Sequence, residues 1–428
     1  MQPADSAITP QELERSLRYS YLHGLLGTIF GASVGGMFLT GCALKLGASN
    51  LQIGMLAAIP NAVSFMQLYS AYLLEKHARR KRLCLRSSMV SVSVWAIAAG
   101  IPFLVPAHPS WLRLYTLFGV VTVAAVAGMV SGNSWTSWIA DLVPSDRYGR
   151  FFARRNMIAG PAAMAFAMLE GVFLDWAKTL QAFCMIFAVG VSAGWGSILA
   201  LSRQADVPMH RRQDENGRHL GMHEIVREAL RHRQLLAITL FTVAWRFAWM
   251  VSAPFYMVFM LKDLGMKFVW VGGLTTTYSI VGVLSNPFWG RVADRTGGRK
   301  MLVTASVVST LGALPWLAVN GANFWFVLPV VYAYGAFLDT GWILGMTTLF
   351  LGSLPREGRS TYLALNGTIA GTAAMVAPVI GGWLAGRVQA EGWRPLGMAN
   401  LQVLFAISIG LALCFIPLLR LVGDRKEE

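Results

Sequence analysis

Between Gly282 and Lys300 the chain reads GVLSNPFWGRVADRTGGRK, and the division of the whole molecule follows from this stretch. Its first part is an apolar helical pattern; its last part is a tight basic turn. Gly290 is small enough to let a neighbouring helix approach, and Gly297 with Gly298 permits a sharp reversal. Asp294 can pair with an arginine or with a helix N-terminus, and Arg291, Arg295, Arg299 and Lys300 surround it. A carboxylate among cations in a turn between two apolar helices has the chemistry of a latch. It holds one arrangement of the chain and breaks in another. Gly290, Asp294, Arg295, Arg299 and Lys300 are therefore the expected gating residues.

A second, altered copy lies upstream. Glu75 is followed five positions later by Arg80, as Asp294 is by Arg299, and each is then followed by lysine. Glu75 stands where the later copy has aspartate and Ala71 where it has the leading glycine, so Glu75 and Arg80 are expected to form the weaker latch. A further echo pairs IAGPAAM at Ile158–Met164 with IAGTAAM at Ile369–Met375, an offset of 211 residues that also brings Pro144 onto Pro355 and Gly171 onto Gly382.

Outward from these motifs, the sequence is a series of apolar runs. Of 428 residues, 55% are hydrophobic and only 13% are charged, with a mean hydropathy of +0.52. A soluble domain carries about 25% charged residues, and a spanning helix needs about 20 apolar ones. Twelve such runs are expected, near 21–46, 51–74, 83–105, 112–140, 156–177, 179–201, 235–261, 269–292, 301–319, 323–352, 360–386 and 397–421. They form two sets of six: an N-terminal bundle over 1–201, a basic linker over 202–233 and a C-terminal bundle over 234–428. The 20-residue head before the first run mixes acids and bases and lacks a small-residue cleavage site, so it is expected to remain in the protein.

The basic residues give the orientation, because cytoplasmic loops are enriched in Lys and Arg. With the N-terminus inside, 28 fall on inside segments and seven outside, and Arg246 alone lies within a span. Both termini are then cytoplasmic. Seven arginines sit between Arg203 and Arg233, where His223–Arg233 has the pattern of a surface amphipathic helix beside a solvated linker. The net charge of +15 is spread between apolar runs, not gathered on one face, which argues against nucleic acid as a partner. Cys42, Cys84, Cys184 and Cys414 are too dispersed for a metal or disulfide framework. No phosphate-cradling loop or nucleophile–base arrangement marks an enzyme, and no cofactor is called for.

Ionisable residues inside spans cost about 2.5–3.5 kcal/mol each and are functional candidates by default. Arg246, Asp339 and Glu170 lie near the midplane of spans 7, 10 and 5. Asp339 and Arg246 have the makings of an ion pair, functional or static; Asp339 and Glu170 together are the candidate cation or metal ligands. Trp342 follows Asp339 on the same helical face, and Asn133 and Asn366 add polar groups nearer the cytoplasmic mouth. Trp135 and Trp138 share a face of span 4, and His23 lies close to the inner boundary, where it is not expected to bind metal.

The stretch Gly290–Lys300, apart from its one additional glycine, resembles the signature of the major facilitator superfamily. That resemblance covers the whole chain. It implies two six-helix bundles that rock around a midplane site walled in part by spans 5, 7 and 10, hence a secondary transporter. Gly160-Pro161 is similar to the antiporter signature of span 5, but Met164 and Ala165 replace its next small pair. Span 4 also lacks the arginine of the proton-coupled drug antiporters. The opening MQPADSAITPQELERSLRYSYLHG resembles the magnetosome-associated members of the superfamily, which implies transport of iron or an iron complex for biomineralisation, in the bacterial cytoplasmic or magnetosome membrane. Its partners would be a small solute or metal ion, a proton, the lipid bilayer and other magnetosome membrane proteins. Two other readings stay open: a proton-coupled exporter of small organic compounds, and a non-transporting scaffold acting through the linker.

Overall fold

Backbone amides in hydrocarbon have no water to bond, so a chain built from long apolar runs must satisfy them within helices. The computed structural model does so. It describes residues 9–66, 69–70, 80–106, 108–109, 111–144, 147–207, 233–353, 359–392 and 398–422, with the side chains of 351–353 and 359–364 set aside. Glu75, Pro355 and nearly all of the basic linker lie outside them. The described residues contain helices and connecting turns and no strand.

The helices run α1 Pro10–Val34, α2 Gly36–Lys45, α3 Asn50–Ala62, α4 Arg80–Ser93, α5 Trp95–Ala99, α6 Ile101–Leu104, α7 Trp111–Leu142, α8 Tyr148–Ala177 and α9 Leu180–Ser202. After the linker come α10 Arg233–Met250, α11 Ala253–Val258, α12 Phe268–Thr296, α13 Gly298–Gly312, α14 Phe324–Ser353, α15 Arg359–Glu391 and α16 Asn400–Phe415. Among the described residues, ten helical stretches are long and apolar enough to cross a membrane. The other two expected spans correspond to α3, whose continuation leaves the described residues, and to the broken series α4–α6. Large apolar side chains such as Phe103, Trp176, Val283 and Leu284 are over 70% exposed, the surface a bilayer would cover.

Two compact units emerge. Unit 1 comprises Met1–Ala48 and Val63–Arg212; unit 2 comprises Ser49–Ala62 and Gln213–Glu428. In unit 1, α1 packs on α8 and α9, and α4 packs on α7. The start of α4 is tied to the end of α7 by Arg80, whose guanidinium sits 2.6 Å from Asp141 and donates to the Ser137 carbonyl at 2.7 Å. Arg80 is only 2% exposed while Asp141 is 32% exposed, so a buried cation is met at the surface by its counter-ion.

In unit 2, α12 and α13 pack on α14, and α10 packs on α15. The short helix α3 also belongs here, lying along α15. Their backbones touch: a Cβ on Gly54 would fall 2.2 Å from the Pro378 carbonyl oxygen, which only glycine tolerates. Asn50 closes the contact by donating its amide to Gln389 at 3.1 Å.

Candidate functional site

Five helical pieces of unit 2 turn their aromatic faces toward one cavity of about 560 Å³, a size suited to a drug-sized molecule. On α10, Trp245 and Trp249 are one turn apart and flank Arg246. On α14, Tyr332, Gly335, Asp339 and Trp342 recur at helical spacing along one face. Tyr278 enters from α12, Tyr256 from α11 and Trp316 from the 3-10 turn after α13. With Tyr334, eight aromatic side chains line the space, against one carboxylate, Asp339, and one guanidinium, Arg246.

The aromatic wall is ordered by ring contacts. Trp245 and Trp342 stack with centroids 5.8 Å apart and planes 11° apart. Tyr256 lies 4.5 Å from Trp316, and Trp316 lies 6.0 Å from Tyr332. Tyr334 lies across Gly312, where an added Cβ would fall 1.7 Å from its ring, and donates its hydroxyl to the Val308 carbonyl at 2.7 Å. Two donors on this wall, the Tyr256 hydroxyl and the Trp342 indole N–H, are buried without an internal partner. An acceptor on a ligand that reached either donor would add about 1 kcal/mol.

Of the expected site residues, the structure brings Asp339, Arg246 and Trp342 together in this cavity. It does not pair the two charges. Tyr278 donates its hydroxyl to Asp339, while Arg246 is exposed and makes no ion pair among the described residues. Tyr278 thus takes the place beside Asp339 that the sequence offered to Arg246. Glu170 stands elsewhere, buried in unit 1 with Ser33 donating to it at 2.6 Å. Asn133 is half-buried on α7 of unit 1, and Asn366 on α15 has a buried oxygen without a partner and does not line the cavity. Among the described residues no cluster of three His, Cys, Asp or Glu side chains is placed to hold a metal.

The gating residues divide. Gly297 caps α12 with φ at +75°, the left-handed conformation that its position in the motif demanded. The close helix approach expected at Gly290 is instead made by Gly298, where a Cβ would fall 2.5 Å from the Leu349 nitrogen; nothing lies within 4 Å of one built at Gly290. The correction is geometric: the reversal turns the start of α13 against α14, whereas Gly290 lies two turns back on α12. Asp294, Arg295 and Lys300 are exposed, and Asp294 makes no ion pair among the described residues. Arg299 is half-buried and donates to the Leu419 carbonyl at 3.3 Å. Sequence reasoning missed Tyr278, Trp245 and Asp141, since an aromatic or a helix-end aspartate carries no distinguishing pattern on its own.

Comparison with known proteins agrees with this architecture. The model of the family described as Major Facilitator Superfamily matches residues 21–273 and 246–428. The multidrug resistance protein MdtG of Dickeya zeae is 27% identical over 197 residues, 43% of this chain and 44% of that protein. A homologue of the multidrug resistance efflux pump PmrA from Lactococcus lactis is 27% identical over 40% of this chain and 41% of its own length. The chain thus spans less than half the length of these curated relatives. Among solved structures, the nucleoside transporter NupG superposes with a TM-score of 0.75 at 11% identity, covering 95% of this chain and all of that one. A bacterial homologue of the iron transporter ferroportin, in its inward-facing state, gives 0.70 at 13% identity over 97% and 99%.

Proposed function

The chain belongs to the major facilitator superfamily, and from that premise we propose that it is a secondary transporter whose solute is a small organic cation with an apolar, ring-bearing body. The carrying observation is the unit 2 cavity, in which eight aromatic faces surround a single carboxylate. Aromatic rings attract cations through their negative faces as well as burying apolar area. Asp339 would take the cationic group, the Trp245–Trp342 stack and the Tyr256–Trp316 pair would grip the body, and Arg246 would meet an acceptor at the far end. The similarity to proteins named for multidrug resistance supports this class of solute.

Iron as a bare ion does not suit the same cavity. Ferric and ferrous iron seek several hard oxygen or imidazole donors, and here one carboxylate stands among rings. Iron would enter only inside an organic complex whose shell meets the aromatic wall, and a part in magnetosome biomineralisation would require that form. The weaker match to the antiporter signature bears on how transport is coupled, not on what the cavity grips. Proton and organic cation would compete for Asp339, which couples their movements in opposite directions by alternating access. The excess of Lys and Arg on alternate loops supports a bacterial inner-membrane protein with both termini cytoplasmic.

The test is uptake into proteoliposomes of three labelled solutes: tetraphenylphosphonium, ferrous iron and ferric citrate, with and without an imposed pH gradient. Saturable, gradient-driven tetraphenylphosphonium movement that Asp339→Asn abolishes is the expected result. Saturable ferrous iron uptake without organic-cation transport would overturn the reading in favour of a metal carrier.

A further inference from the structure

Unit 1 contains a cavity of its own, of about 240 Å³, with the opposite chemistry. Four helix faces close around it at helical spacing: His23 and Gly27 on α1, Ser88 and Ser91 on α4, Ser131 and Trp135 on α7, and Ser197 on α9. Arg155 enters from α8 and lays its guanidinium over the Trp135 ring, 4.8 Å from the centroid. No carboxylate lines the space, and Arg155 forms no ion pair among the described residues.

The hydrogen bonding is incomplete in one direction only. Ser88 and Ser131 bond each other at 2.6 Å, and Ser197 bonds His23 Nδ1 at 2.7 Å, so the hydroxyls and that ring nitrogen are satisfied. What is left over is a set of donors. Arg155 Nε and the Trp135 indole N–H are both buried without a partner. Arg155 passes close over the Gly24 backbone, where an added Cβ would fall 2.6 Å from its Nε. A half-buried guanidinium with no counter-ion among the described residues, beside a second unpaired donor, is the complement of an oxyanion.

We propose that this cavity is a binding site for a small oxyanion, a carboxylate or a phosphate group, held by Arg155 and Trp135 with His23, Ser88, Ser131 and Ser197 around it. The volume admits an anion of a few heavy atoms or a lipid phosphate, and not the body of a drug-sized solute. The site stands on unit 1 alone and does not rest on the organic-cation reading of unit 2.

Calorimetric titration of the full chain in phosphatidylcholine nanodiscs tests it, with succinate and inorganic phosphate as probes. A parallel melt compares phosphatidylcholine with phosphatidylglycerol discs. Saturable binding of either probe that Arg155→Gln weakens about ten- to hundredfold, and Trp135→Phe by about threefold, is the expected result for a free anion. Stabilisation by phosphatidylglycerol alone, lost in both variants, assigns the site to a lipid phosphate. Trp135→Phe keeps the ring and the packing, so it reads the missing donor even where Arg155→Gln fails to fold. Binding and melting identical in wild type and both variants, or absent throughout, would overturn the proposal.

Discussion

The cavities of the two units answer the same architectural problem with opposite materials. In unit 2, space is walled by indole and phenol rings, and a lone carboxylate is already bonded by Tyr278. In unit 1, more than half of the lining residues are glycine or serine, the cation is Arg155, and no acid faces it. Both are built from helix faces at the same periodicity. The difference lies in the largest part of what a ligand would gain: buried area and cation–π attraction in unit 2, charge-assisted pairing with an uncompensated guanidinium in unit 1. The sequence repeat preserved the helices and the small residues of IAGPAAM and IAGTAAM, while the chemistry of the inward faces diverged.

The largest effect expected is on unit 1 itself. Asp141→Ala would leave the buried Arg80 guanidinium without its counter-ion, costing about 3 kcal/mol, whereas replacing both partners with leucine would restore much of the loss. Thermal unfolding checks this, and equal melting of the single and double variants would mean that the pair is not a tie. Next, Asp339→Asn should weaken tetraphenylphosphonium binding by about 1.5–3 kcal/mol, roughly ten- to hundredfold, while leaving succinate or phosphate titrations unchanged. A loss of both would merge the two cavities into one functional site and break the contrast.

Smaller effects sharpen it. Gly312→Ala places a methyl where the Tyr334 ring lies, and overpacking of this kind costs about 1–3 kcal/mol. Organic-cation affinity should fall while oxyanion binding stands. Trp342→Phe retains the stack on Trp245 and removes the unpaired indole donor, so binding should weaken by no more than about 1 kcal/mol. A larger loss, measured by fluorescence titration, would show the N–H to be the principal contact and the rings secondary.

Much of the fold was legible because periodicity, apolar run length and basic loops are strong signals in a bilayer. The turn at Gly297 followed from its glycine pair, although the close approach fell to Gly298 and not to Gly290. The site was legible in part. Asp339, Arg246 and Trp342 do share a cavity, because a charge within a span is costly enough to stand out. Tyr278 in place of Arg246 as the partner of Asp339 was hidden, since tyrosines are common in apolar helices and the pairing depends on how α12 meets α14. Arg155 was hidden differently: it reads as one more cation of a basic loop, but α8 begins at Tyr148 and carries it seven residues into the helix. Its signal was present in the glycine and serine residues recurring at one face of α4 and α7, a spacing that reads equally well as tight packing.

The most direct test of the central claim is equilibrium binding of tetraphenylphosphonium to the purified full chain, wild type against Asp339→Asn, with ferrous iron as competitor. Saturable binding in the wild type, weakened about tenfold or more in the variant and indifferent to iron, is the result that follows from an aromatic cavity with one carboxylate. Binding unchanged by Asp339→Asn, or displaced by ferrous iron at equal concentration, would contradict it.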